Sequence, residues 1–184
     1  MVNLNRQRVV NLPRREPIFT PAQGWSIWIG GDWSNGVVYP AEDKILIRRI
    51  INRQDRLSVA YCDEKLVFKK DINPFIPIDQ RFQPLYLLGI LCSRFISYLY
   101  LKSSSIATKD DFRQTTLAEL RKLPIPVISE QDKRPIIENV AQILAIKNAN
   151  PNADTSALEQ EIDQLVYTLY GLTEEEIKII EQSF

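Results

Sequence analysis

Clustered cations provide the clearest candidate chemistry in this sequence. They fall in two neighbouring stretches, which hold Arg48, Arg49, Arg53, Arg56, Lys69 and Lys70. Guanidinium and ammonium groups neutralise phosphate charge, and a guanidinium can also donate paired hydrogen bonds to a guanine edge. The clustering therefore predicts a surface that binds a polyanion such as nucleic acid.

A second candidate group lies between two predicted helices, in a polar segment that mixes cations with hydroxyl groups. Its members are Lys102, Ser104, Ser105, Thr108, Lys109 and Arg113. Cations in such a loop contact phosphates, whereas hydroxyls reach sugars or base edges. A flexible polar connection between helices is the alternative interpretation of the same residues.

Catalytic chemistry is poorly represented. The chain has no histidine and only two cysteines, which excludes Ser-His-Asp and Cys-His sites and every histidine-containing metal site. The acidic pairs at 42–43 and 63–64 lie in predicted turns, and the Glu-x-Lys at 176–178 lies within a predicted helix. We therefore expect no active site, metal or cofactor in this chain, and a nuclease with an unrecognised carboxylate site stays as an alternative.

Charge is distributed unevenly over a globular composition of 45% hydrophobic and 25% charged residues. Residues 1–126 carry 19 Lys and Arg against 12 Asp and Glu, a net +7, whereas residues 127–184 carry 4 against 11, a net −7. Such asymmetry is typical of proteins with a polyanion-binding face. The opening residues are polar and the apolar stretch 85–101 is interrupted, so we expect a cytoplasmic protein.

The predicted elements indicate an α+β fold. Strands are predicted at 44–51, 57–61 and 65–68, forming an antiparallel meander, and the prolines of 73–77 are expected to break regular structure. A buried helix is predicted at 84–101 and a short one at 116–123. Capping signals predict further helices at 129–148, 154–170 and 173–183. We expect an α+β unit over 1–126, irregular in its first 40 residues, and an acidic helical appendage over 127–184.

The order of several motifs resembles a known family. These motifs are Lys44-Ile-Leu-Ile-Arg-Arg49, Ala60-Tyr-Cys-Asp63, the helix-forming run 84–94 and Leu123-Pro-Ile-Pro126. Their sequence resembles the TaqI-like C-terminal specificity domain of adenine-specific DNA methyltransferases and fused restriction–modification enzymes. The tail, 151–174, is also similar to the ends of type I restriction specificity subunits. The resemblance covers about residues 40–182.

This resemblance implies a target recognition domain that reads double-stranded DNA beside a separate catalytic domain or subunit. That catalytic part would bind S-adenosylmethionine and methylate an adenine, using an Asn-Pro-Pro-Tyr-type motif. The motif is absent here, since Asn73-Pro74 is followed by Phe75. We therefore predict sequence-specific DNA recognition without catalysis, and the alternative is an interaction or oligomerisation module of a restriction–modification complex.

Overall fold

The computed structural model describes residues 25–26, 38–39, 43–51, 55–64, 66–67, 71–77, 79–104 and 113–184. These ranges contain short antiparallel strands followed by helices. The predicted α+β class is therefore confirmed.

The described strands are β1 (Trp25–Ser26), β2 (Val38–Tyr39), β3 (Lys44–Arg48), β4 (Val59–Cys62), β5 (Leu66–Val67) and β6 (Ile72–Pro77). The main sheet is antiparallel and has the strand order β1-β6-β3-β4. The first two predicted strands pair as expected, with Ile45 opposite Tyr61. The third predicted strand differs: β5 pairs with β2, and β6 takes the other side of β3.

The prolines of β6 do not break the sheet, and the prediction that they would was wrong. Arg49 N donates to the carbonyl of Asp71 at 2.8 Å, and hydrogen-bonded pairs alternate along antiparallel strands. Pro74 is therefore at a position whose nitrogen points away from β3. The nitrogen of Pro77 points towards β3, but the pairing of these two strands ends before it, at Ile45 and Phe75. Neither proline removes a hydrogen bond that the sheet needs.

The predicted helix 84–101 is instead two helices, α1 (Pro84–Cys92) and α2 (Arg94–Ser103), bent by 66°. Ser93 causes the break because its backbone is extended. Its hydroxyl donates to the carbonyl of Ile90 at 2.7 Å and accepts from the N–H of Ile96 at 3.3 Å. One side chain therefore ends α1 and caps α2. The expected burial is confirmed along most of both helices.

Four further helices follow: α3 (Leu117–Leu120), α4 (Glu130–Ala149), α5 (Ser156–Tyr170) and α6 (Glu174–Glu181). Ser129 caps α4, and Thr173 with Glu176 forms the predicted capping box of α6. Gly171 ends α5 with φ +64°, a conformation that glycine adopts without strain. These local predictions are confirmed.

The acidic C-terminal helices pack directly on the α+β body. Gly89 of α1 lies against Ile136 of α4, and the Tyr170 hydroxyl of α5 donates to the carbonyl of Pro124 at 2.6 Å. Buried side chains of the sheet, such as Phe75, and of α5, such as Val166, belong to one continuous core. These helices therefore contribute to the same hydrophobic core as the sheet.

In the part of the chain that the structure describes, no single helix is long and apolar enough to cross a membrane. The helices α1 and α2 reach that length and composition only when they are taken together as a bent pair.

Candidate nucleic-acid interface

The carboxyl end of β3 lies beside the chain segment that follows the polar loop. Ile50 and Gln114 form an antiparallel bridge, and Ile51 N donates to the carbonyl of Arg113 at 3.0 Å. Thr115 N donates to the carbonyl of Arg49 at 2.7 Å. The structure thus brings together residues from both predicted cation groups. We call this surface the basic end, and define it by Arg48, Arg49, Ile50, Arg113 and Gln114.

The adjacent Arg48 and Arg49 have different environments at the basic end. Arg48 is the last residue of β3 and its side chain is exposed. Arg49 is half-buried, and its Nε donates to Oε1 of Gln114 at 3.2 Å. Since a guanidinium only donates hydrogen bonds, this contact leaves the Gln114 amide nitrogen, a donor, available for other partners. Gln114 was not predicted as a site residue, because it lies 65 positions from Arg49 and has no charge.

Arg113 is half-exposed and forms an ion pair with Asp55. Asp55 has φ +58°, in the left-handed region that aspartate tolerates better than most residues. This backbone conformation accompanies the position of the Asp55 carboxylate next to the guanidinium. The negative charge of Asp55 thus opposes the positive charge of Arg113, and the sequence alone did not indicate this pairing.

The C-terminal end of α2 contacts the backbone of residues 114–116. The buried Tyr100 hydroxyl donates to the carbonyl of Gln114 at 3.2 Å and accepts from the N–H of Thr116 at 3.1 Å. Burial raises the pKa of this hydroxyl, which keeps it protonated and able to donate.

Ser104 is also buried and hydrogen-bonds to Tyr100, so it faces away from solvent and we leave it out of the proposed interface. Lys102 is exposed, with its Nζ 5.5 Å from the centre of the Tyr98 ring.

Several predicted site residues lie outside the described residues. They are Arg53, Lys69, Lys70, Ser105, Thr108 and Lys109. Their contact with DNA stays a prediction.

Arg56 lies in a groove rather than at the basic end. The groove has a volume of about 430 Å³ and lies between β4 and the helices α1, α4 and α5. Arg56 donates to the carbonyl of Cys92 at 2.6 Å, and Glu159 and Asp163 also line the groove. Burial raises the pKa of the Cys92 thiol to about 12, although the Arg56 charge opposes this shift. The thiol is therefore protonated and unsuited to nucleophilic chemistry.

A polar cluster joins α2, α5 and α6. Arg94 pairs with Asp163 and Glu181, and the Tyr167 hydroxyl donates to Glu181 at 2.6 Å. Asp163 also accepts from the backbone N–H of Arg94 at 2.8 Å. One guanidinium thus bridges two carboxylates on different helices and fixes the helices relative to one another. Across the described ranges, no three His, Cys, Asp or Glu side chains are placed to hold a metal ion.

The order of the sequence motifs predicted a restriction–modification specificity domain, and a family comparison agrees. Residues 22–125, more than half of the chain, match the TaqI-like C-terminal specificity domain family. The chain belongs to this family, as the order of its motifs predicted. The match includes the whole of the basic end.

A curated relative places the family in a particular kind of enzyme. A protein of Methanocaldococcus jannaschii, which its name assigns to the type II restriction enzymes and methyltransferases, is 44% identical to this chain over 139 residues. The aligned region covers 72% of this chain but only 11% of that protein. This chain therefore corresponds to a small part of the relative.

Proposed function

We propose that this chain is the double-stranded DNA recognition part of a restriction–modification methyltransferase or endonuclease. The observation that carries the proposal is the basic end, where three arginines from distant positions meet within the family's matched residues. The exposed Arg48 and Lys102 are suited to phosphate contacts, which supply affinity without sequence information.

Sequence discrimination in this proposal comes from the Arg49–Gln114 pair. In the contact between Arg49 and Oε1 of Gln114 the amide oxygen is the acceptor, and the guanidinium and the amide nitrogen supply the hydrogen-bond donors of the pair. In the major groove, guanine presents the acceptors O6 and N7, and thymine presents O4. The pair therefore favours guanine or thymine over the amino group of cytosine.

Catalysis in this proposal takes place outside this chain. The region aligned with the relative is 11% of that protein's length, which leaves ample chain for catalytic domains there. A separate catalytic domain or subunit would bind S-adenosylmethionine and methylate an adenine. This chain would hold the duplex and set which sequence is presented.

Equilibrium DNA binding as a function of salt tests the proposal. Fluorescence anisotropy with a labelled duplex pool should show binding that weakens steeply with salt, and Arg48→Ala should lower the log–log slope by about 0.9. Arg134→Ala is a matched control, because Arg134 is an exposed arginine on α4, away from the basic end. Its slope should equal that of the wild type.

Two results would contradict the proposal. One is the absence of binding at low salt, and the other is an equal loss of slope in both variants. A chain that binds no duplex but self-associates in sedimentation experiments would support the interaction-module alternative instead.

A further inference from the structure

Ile50 is an exposed aliphatic side chain in the middle of the basic end. Its exposed fraction is 39%, which places it with Ile146 and Phe184 among the exposed large hydrophobic residues of the described chain. Arg48 and Arg49 directly precede it, and Gln114 lies opposite it. Burial of an exposed aliphatic side chain is favourable, so a binding partner that covers Ile50 gains free energy.

The backbone around Ile50 is held in place on both sides. Arg49 accepts a hydrogen bond from Thr115 N at 2.7 Å, and Ile51 N donates to Arg113 at 3.0 Å. Thr115 Oγ1 also donates to the carbonyl of Arg48 at 3.1 Å. The side chain is therefore presented from a fixed position, which reduces the entropy that contact with a partner would cost.

We propose that Ile50 contacts the C5-methyl group of a thymine in the major groove of the target duplex. The inference rests on the proposed DNA recognition and deepens it. The thymine methyl is the one apolar group that base pairs present in that groove. Thymine also presents the O4 acceptor, which matches the donors of the neighbouring Arg49–Gln114 pair. Ile50 and this pair thus complement both features of a thymine edge.

The test removes the methyl group from the DNA rather than from the protein. A duplex is first selected from a random pool with the wild-type chain, and is then prepared with deoxyuridine in place of every thymidine. Uracil keeps O4 and the base pairing but lacks the methyl group. Wild-type affinity should fall by about fourfold, the effect expected for burial of one methyl-sized group.

Three variants complete the test. Ile50→Ala should bind the thymine duplex about fourfold more weakly than the wild type and bind the two duplexes equally. Ile50→Val, which keeps a branched aliphatic side chain, should retain most of the discrimination. Ile146→Ala is the matched control, since Ile146 is 36% exposed on α4, and it should discriminate as the wild type does.

The outcomes separate this inference from the proposed function. Selection of a specific duplex that the wild type binds equally well with uracil would overturn the role of Ile50, and so would undiminished discrimination by Ile50→Ala. Failure of the wild type to bind any duplex would overturn the proposed function itself.

Discussion

The contact between α1 and α4 makes Gly89→Ala a sensitive test of the core. A methyl group at Gly89 would lie 2.4 Å from Cγ2 of Ile136 and 3.1 Å from Cγ2 of Val140, whereas ordinary contacts are 3.4–4 Å. Ile136 is buried and β-branched within a helix, so it has essentially one side-chain rotamer and cannot move aside. The two helices would have to separate by about 1 Å, and overpacking of this kind costs roughly 1–3 kcal/mol.

The sign of the effect distinguishes packing from helix propensity. Alanine is favoured over glycine in a helix by about 1 kcal/mol, so propensity alone predicts that Gly89→Ala stabilises the protein. With the overpacking cost included, we expect a net loss of up to about 2 kcal/mol in the free energy of unfolding. Urea unfolding monitored by circular dichroism measures this difference, provided that the slope m is unchanged.

A double-mutant cycle identifies the contact responsible. Ile136→Ala removes the clashing Cγ2, so in that background Gly89→Ala should become neutral or stabilising. Gly171→Ala is the control: its methyl group would meet nothing within 4 Å, but φ of +64° costs about 1–2 kcal/mol in either background. The reasoning is refuted if Gly89→Ala is about 1 kcal/mol more stable than the wild type, as helix propensity alone predicts, or if its effect is the same with and without the Ile136 side chain.

Three further predictions follow from individual contacts. Burial raises the pKa of Asp163 in the native state, although the backbone N–H of Arg94 opposes this shift. The protonated side chain therefore stabilises the native state at pH values below the pKa that Asp163 has in the unfolded chain, and this stabilisation is lost as the pH rises through the native pKa. In urea titrations, the free energy of unfolding of the wild type should therefore fall relative to that of Asp163→Asn as the pH rises from about 3.5 to 7. A difference between the two proteins that stays constant with pH would contradict burial as the main cause. Thr173→Ala removes the hydrogen bond that the Glu176 N–H donates to the Thr173 hydroxyl and should lower the free energy of unfolding by about 1 kcal/mol, with Thr173→Ser close to the wild type in thermal melts. Asp55→Asn frees the guanidinium of Arg113 and should steepen the salt dependence of DNA binding by about one log–log unit. Asp79→Asn, which breaks the ion pair with Arg81, is the control and should not produce this increase.

The local features of this protein followed from its sequence because their causes lie within a few residues. The N-caps Ser129 and Thr173 and the helix stop Gly171 use hydrogen bonds or backbone angles that span at most one helical turn. The pairing of β3 with β4 joins strands that are near in the sequence, and the apolar content of 84–101 indicated burial before any contact was known. The order of motifs then indicated the family.

Tertiary structure decided which residues meet at the candidate site. Arg49 and Gln114 are 65 positions apart, and only the bridge between their segments places the amide beside the guanidinium. The same packing joins Arg113 to Asp55 and directs Arg56 into the groove. It also buries Ser104, which was predicted to reach sugars or base edges. A sequence shows how many cations a chain has, but their availability depends on counter-charges and burial that are set by distant residues.

Register is the second property that the sequence alone did not determine. Pro74 is acceptable in β6 because its nitrogen points away from β3, and Pro77 because the pairing with β3 ends before it; both depend on how β6 aligns with β3. Likewise, the negative charge of the C-terminal helices did not show how they pack: Gly89 permits α4 to approach α1 closely, and both helices contribute to one core. Composition records the polarity of a helix, but the face that it buries is decided by the shape of the surface against which it packs.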